Sequence, residues 1–343
     1  MAEVLPPDPP ALFAAARRGD RVALARLLSL VERGGGPSRA VAALSYGGGG
    51  DAYSIGITGA PGAGKSTLTD RLVAMGREQG IDGGSQVGVL AVDPSSPYSG
   101  GAILGDRVRM PDHALDDRVF IRSMAARGHL GGLSVAVPDA IRVFSAVGLD
   151  VVLVETVGVG QQEVEVAAAT DTTLVVVNPG WGDAIQANKA GLLEIADIFV
   201  INKSDRPDAR QTRRDLELML DLTEIGDWRP PIIDTVATTG EGIAELWATI
   251  GQHRDHLVAT GRLDSLRRQR VEREFRQIVV SRVVERIDEV THGDRFAPVL
   301  AAMLDGDIDP YQAADRLLSM LSARPESGGA GGDRTGTEPG GGA

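Results

Sequence analysis

Lys65 stands in the run Gly59-Ala-Pro-Gly-Ala-Gly-Lys-Ser66, and glycine, lysine and hydroxyl at this spacing suit one chemistry, the cradling of a nucleotide's phosphates. Gly59, Gly62 and Gly64 let the backbone curl until several N–H groups face a single anion. The Lys65 ammonium neutralises the β and γ oxygens, and the Ser66 hydroxyl is a ligand for Mg²⁺. Pro61, Ala63 and Thr67 complete the loop and the first turn of the helix behind it, whose N-terminus draws phosphate in its own right. The run follows a β-branched stretch, Ser54–Thr58, and precedes helix-length sequence, the strand–loop–helix setting this chemistry requires.

Asn202-Lys-Ser-Asp205 closes a later apolar run and has the spacing of a guanine reader. A carboxylate at Asp205 accepts from the N1–H and the exocyclic amine of guanine, donors that adenine does not offer in that arrangement. Leaving such a group unpaired discriminates by roughly 10⁴-fold or more, so guanine is favoured and a GTPase is separated from an ATP-using kinase. Lys203 lays its stem across the base beside Asn202. Val236–Gly240 follows the next strand and supplies a backbone N–H to the base carbonyl, with Ala237 as the binding position.

Acidic residues fall at or near strand ends between these motifs: Asp93, Asp106 and Glu155. Mg²⁺ takes hard oxygen ligands, one or two carboxylates together with phosphates and waters, and strand C-termini of a parallel sheet border the phosphate crevice. Glu155-Thr-Val-Gly158 stands where small GTPases carry Asp-x-x-Gly, so the Gly158 N–H is directed to the γ-phosphate and Thr156–Glu165 forms a hydrolysis-sensing switch. Gln161 or Gln162 is the candidate to orient the attacking water, and Arg107, Arg109, Arg122 and Arg127 are candidate charge stabilisers.

Of the 35 lysine and arginine residues only Lys65, Lys189 and Lys203 are lysines. A lysine kept against that background marks a position needing a compact ammonium, which a planar guanidinium cannot imitate. Two of the three fall in the nucleotide motifs. Lys189 lies in the loop that runs from Asn178 through Pro179, Gly180 and Gly182, and is expected to form a third switch that pairs with a carboxylate such as Glu155.

The elements that must position these groups are legible as hydrophobic runs. Short runs at Ser54–Thr58, Val87–Asp93, Val119–Arg122, Val151–Glu155, Thr173–Val177, Ile198–Asn202 and Ile232–Val236 alternate with helix-length segments. That pattern gives an α/β fold, a mainly parallel sheet covered on both faces. Residues 9–32 read as two short helices, and glycines at 34–36 and 47–50 as a linker. From Arg262 the spacing is helical again, either packed on its own core or pairing with a second subunit. The expected organisation is a helical extension and linker over 1–50, a nucleotide domain over 51–260, a helical dimerisation arm over 261–324, and a disordered glycine-rich tail over 325–343. His253 and His256 share a helix face and read as a solvated pair.

A formal charge of −12 at pH 7 gives no electrostatic reason to expect nucleic acid or an anionic membrane. The absence of cysteine excludes disulfides and thiolate metal sites. No apolar run approaches the roughly 18 residues of a membrane span, and the N-terminus has no basic-then-apolar leader, so a cytoplasmic location is expected.

The long strings Gly59–Thr67, Val92–Pro97 with Ser99–Asp106, Arg127–Gly132, Glu155–Gln161 and Ala190–Asp197 leading into Asn202–Asp205 resemble the methylmalonyl-CoA mutase-associated GTPases, also called MeaB or ArgK, of the metallochaperone-like P-loop branch. The resemblance runs to about residue 320. It implies a homodimeric, Mg²⁺-dependent GTPase that binds GTP and GDP, associates with an adenosylcobalamin-dependent acyl-CoA mutase, gates cofactor loading and protects the mutase. It maps Asp93, Asp106 and Glu155 onto metal and switch carboxylates and Lys189 onto the third-switch lysine. With Lys65 and Gln161, the residues Asp106, Glu155 and Lys189 form the expected catalytic set. Gln162 replaces a frequent Ser, Ser204 a frequent Ala, and Arg107 a usual Lys. The Asp-x-His-x-x-Gly cobalamin motif is missing, since Arg127 stands at the acidic position before His129. A small-molecule phosphotransferase, as older kinase labels in the family suggest, and an assembly chaperone using nucleotide as a structural ligand are the competing classes.

Overall fold

The computed structural model describes residues 8–46, 51–80, 85–94, 110–113, 115–126, 132–156, 161–180, 194–223, 226–291 and 296–322. Among the described residues, seven strands form one sheet: β1 Tyr53–Gly59, β2 Val87–Pro94, β3 Val119–Ala126, β4 Val151–Thr156, β5 Thr172–Val177, β6 Ile198–Asn202 and β7 Ile232–Thr235. Their order is β3-β2-β4-β1-β5-β6-β7, and every pairing is parallel. Each run expected from the sequence is a strand. They are apolar on both faces because helices cover both.

Alternate residues of β4 show how the faces divide. Val151 and Leu153 join Ile55, Ile57, Leu68, Leu72 and Trp247, a core roofed by α4 (Lys65–Glu78) and by α8 (Ile243–Ala259). Val152 and Val154 join the opposite core with Leu90 and Phe144, roofed by α5 (Gly132–Ala146) and α6 (Gln161–Ala169). The helix between β6 and β7 is α7 (Ala209–Asp221).

The N-terminal helices belong to that second core. α1 (Pro9–Arg17), α2 (Arg21–Arg33) and α3 (Gly35–Tyr46) contribute Phe13, Leu24, Leu27, Leu28 and Val41 to it. Burying a leucine side chain is worth about 1.5–3 kcal/mol, so these helices are a roof for β2–β4. α2 starts where the Asp20 carboxylate accepts the N–H groups of Val22 and Ala23, at 2.9 and 3.0 Å. α3 was not expected, because glycines at 34–36 read as linker. Gly34 ends α2 at φ 73, and α3 begins at the next residue, drawn into helix by the burial of Val41.

α9 (Arg262–Thr291) follows α8. Contacts divide the chain into two compact units, one ending at Ile278 and one starting at Val279. Within the first, Arg267 and Arg270 of α9 grip the buried Asp171, and Arg142 of α5 forks onto Glu274. The second contains α10 (Phe296–Leu304) and α11 (Pro310–Ser322), which share a small core of Val299, Ile308 and Ala313. No helix among the described residues is long and apolar enough to cross a membrane.

Candidate functional site

The C-terminal ends of β1, β4, β6 and β7 meet at one edge of the sheet, where β1 has β4 on one side and β5 on the other. This is the switch point at which parallel sheets bind ligands. The phosphate loop leaves β1 there. Gly59 sits at φ 126 and a Cβ on it would lie 2.0 Å from the Val176 carbonyl oxygen, so only glycine fits against β5. Gly64, at φ 90, caps α4, and a Cβ there would come within 2.5 Å of the Asn202 amide nitrogen.

Lys65 is buried, and its ammonium donates to the carbonyls of Gly59 at 2.7 Å and Ala60 at 3.0 Å. The charge is thereby held in the curl of the loop. Ser66 donates its hydroxyl to Oε1 of the buried Glu155. The serine expected to hold Mg²⁺ and the carboxylate expected to help it are therefore neighbours. Next to them Thr156 donates to Thr58 at 3.2 Å, tying the ends of β4 and β1.

Asn202 is the joint between phosphate loop and base loop. Its Nδ2 donates to Ala63 O at 2.7 Å, while its Oδ1 accepts from Thr235 Oγ1 at 3.2 Å and from Ala237 N at 3.1 Å. Lys203 has φ 61, the one positive value at a non-glycine residue among those described. That conformation costs roughly 1–3 kcal/mol at a residue with a Cβ. It is held by the Lys203 ammonium on Gly62 O at 2.7 Å and by the Ser204 N–H on Thr235 O at 3.1 Å. Asp205 follows, exposed at the edge.

Several expected residues are placed only in part. Asp93 lies near the end of β2, in register with Ala125, and Gln161 opens α6; their side chains are outside the description. Asp106, Gly158 and Lys189 lie outside the described residues, as do Arg107, Arg109, Arg127 and Gln162's side chain. Arg122 turns toward α2, where it meets Ser29 at 3.1 Å and Glu32 at 3.2 Å.

Two arrangements had no sequence signal. Arg71 of α4 donates to the carbonyls of Ala237 and Thr238 at 3.0 and 3.2 Å. His253 is buried and not half of a solvated pair: its Nδ1 meets Thr172 Oγ1 at 2.8 Å, its Nε2 lies 3.4 Å from Asp197, and Trp228 packs against it at 4.8 Å. Burial pushes the His253 imidazole down to about 4 and the Asp197 carboxyl up to about 7. Both groups sit at the N-terminal side of the strands, away from the nucleotide edge. Among the described residues no cluster of three His, Cys, Asp or Glu could hold a metal ion.

A parallel sheet with a glycine-rich lysine loop between its central strand and α4 defines a P-loop nucleotide-binding protein. A family model described as methylmalonyl Co-A mutase-associated GTPase MeaB matches residues 24–292, and the chain belongs to that family. It is 49% identical over 310 residues to a putative GTPase of Pyrococcus abyssi, covering 89% of this chain and 94% of the relative. It is 36% identical to the GTPase ArgK of Escherichia coli, covering 90% and 95% of the two chains. Among solved structures it resembles a LAO/AO transport system kinase, with a TM-score of 0.67, 26% identity, and 92% and 98% of the chains covered.

Proposed function

We propose that this protein is a slow, Mg²⁺-dependent GTPase that binds an adenosylcobalamin-dependent acyl-CoA mutase, methylmalonyl-CoA mutase by the family's description, and gates loading of its cofactor. The observation that carries the GTP reading is Asn202, whose single amide supports both Ala63 in the phosphate loop and Ala237 in the loop after β7. A change at the base edge is thereby felt in the phosphate cradle. Family membership supports the mutase as partner.

The residues present suit Mg²⁺, since Ser66 and Glu155 offer adjacent hard oxygens, with Asp93 and Asp106 as further candidates. Bound there, the ion would neutralise charge on the β- and γ-phosphates. Lys65 would exchange the Gly59 and Ala60 carbonyls for phosphate oxygens, and Asp205 would take the guanine N1–H and amine. We assign Gly158 to the γ-phosphate, Gln161 to the attacking water, and Lys189 to the signal passed to the mutase.

A homodimer fits the exposed apolar residues of α9 in the first unit, Val271 and Phe275, the latter 66% exposed. Turnover alone should be roughly 10⁻⁴ to 10⁻² s⁻¹, the range for P-loop GTPases before a partner acts. The deciding experiment measures GTP and ATP hydrolysis with and without the mutase. The proposal expects slow turnover of GTP over ATP, accelerated by mutase and lost in Lys65→Ala. Equal use of ATP removes the guanine reading, and phosphate transfer from GTP to an amino-acid acceptor would favour the kinase class of the solved neighbour. Lys189→Ala is expected to bind GTP yet lose mutase-stimulated hydrolysis.

A further inference from the structure

The turn between α1 and α2 and the starts of β2 and β3 enclose a cavity of about 290 Å³. It lies at the opposite end of the sheet from the phosphate loop, since Gln86 and Arg118, which line it, each stand one residue before a strand. Four arginines line it, Arg17, Arg18, Arg21 and Arg118, against two carboxylates, Asp20 and Asp117. Two positive charges are left over, in a chain whose formal charge is −12.

Two of the arginines are fixed in place without being neutralised. Arg17 donates from Nε to Ala146 O at 2.9 Å, and Arg21 from Nη1 to the carbonyls of Asp116 at 3.2 Å and Asp117 at 3.4 Å. A carbonyl partner leaves the guanidinium its full charge and most of its five donors. Arg21 also lies over Phe120, 5.3 Å from the ring centroid. The other two are free: Arg18 and Arg118 are exposed, and among the described residues neither side chain has a hydrogen bond or an ion pair.

The neighbouring acids are occupied elsewhere. Asp20 accepts the N–H groups of Val22 and Ala23 as the cap of α2, and Asp116 has its carboxylate on Arg77 at 2.7 Å. Arg21 is the first residue of α2, where the helix dipole disfavours a cation. Its charge serves the cavity and not its own helix.

We propose that this cavity is a second anion site, which takes a small phosphate monoester. The two surplus charges match the dianion that such an ester approaches near neutral pH, and its three terminal oxygens accept from several guanidinium forks at once. The volume is just under the roughly 300–1,000 Å³ of ordinary ligand pockets, so the ligand is small. Buried Leu24, Phe120 and Leu149 supply an apolar wall for the ester group.

Phenyl phosphate is the probe, titrated by calorimetry into the full chain near neutral pH. Phosphate also suits the loop of Lys65, so the reference is Lys65→Ala, which should still bind one equivalent. Adding Arg18→Ala and Arg118→Ala to it should weaken binding by about tenfold or more, the size of one charge-assisted hydrogen bond. Adding Arg118→Glu alone reverses one exposed charge and should weaken binding at least as much, which keeps the test decisive if the double change does not fold. Benzoate carries the same ring with a single charge and should bind about tenfold more weakly than phenyl phosphate. No binding to Lys65→Ala, binding that survives the arginine changes, or benzoate equal to phenyl phosphate would each overturn the proposal.

Discussion

The amide of Asn202 donates to the carbonyl of Ala63 at 2.7 Å, so the last residue of β6 is a strut of the phosphate loop. The opposite atom of the same amide accepts from Thr235 and Ala237. Only a side chain with a donor at one terminus and acceptors at the other satisfies both loops. Aspartate is isosteric and fails, because it sets an oxygen against the Ala63 carbonyl.

Asn202→Asp and Asn202→Ala should both lose nucleotide affinity by a large factor. Each orphaned buried group costs about 1–3 kcal/mol, so the alanine variant should also melt earlier. Calorimetric titration with GDP and a thermal melt check the pair. Asparagine is the only residue expected to keep both.

Gly64→Ala is expected to abolish nucleotide binding while leaving the sheet intact. The added methyl carbon would stand 2.5 Å from the Asn202 amide nitrogen, at a backbone φ of 90 that side chains avoid. A variant with wild-type GDP affinity would contradict the fit of phosphate loop to β6. Circular dichroism of the unliganded variant separates lost binding from lost fold.

Asp171 is held by Arg267 and Arg270 and accepts from Ser54 N and Oγ, both at 3.0 Å. Burial alone would raise its pKa, but the two guanidinium groups and the hydrogen bonds outweigh it and hold the carboxyl below its ordinary value of 3.8. Its contribution to stability is therefore complete above that value and is lost as pH falls through the lower folded one. Asp171→Asn at neutral pH leaves two arginines facing a neutral amide and should cost about 3–5 kcal/mol. Denaturant titration at pH 7 measures that cost.

Asp197 and His253 oppose each other in pH. The Asp197 carboxyl, pushed up to about 7, is disfavoured when charged, so its penalty is absent below its ordinary 3.8 and complete above 7. His253, pushed down to about 4, resists protonation, so stability is lost as pH falls from 6.5 to 4. Asp197→Asn should raise the melting temperature at pH 8, and the gain should vanish near pH 4. Between those limits the variant should lose stability on acidification more steeply than wild type. Parallel melting curves read both slopes.

How far the sequence reaches depends on whether the signal is local. β1 and the phosphate loop, or β6 and Asn202, are written in contiguous residues, and the strand runs survive because both faces are buried. α3 was hidden because three glycines in a row read as linker, whereas the burial of Val41 decides. Arg71, Arg267 and Arg270 were invisible for another reason. In a chain that places arginine at nearly every basic position, a guanidinium with a structural partner looks like one in solvent. The lysines stood out for the same cause: Lys65 and Lys203 both hold loop carbonyls. His253 was misjudged because its burial depends on Trp228, which is remote in sequence and contacts it only in the folded chain.

The strand order carries a consequence for synthesis. β1 is made before both of its partners, β4 and β5, so its first edge is not satisfied until residues to Glu155 have been made and its second not until residues to Val176 have been made. Throughout that interval the nascent chain exposes Ile55 and Ile57 on an open strand, a hazard for aggregation. The phosphate loop is thus translated before the strands that shape it. A ribosome stalled before β5 should display a chain that chaperones hold and nucleotide cannot rescue.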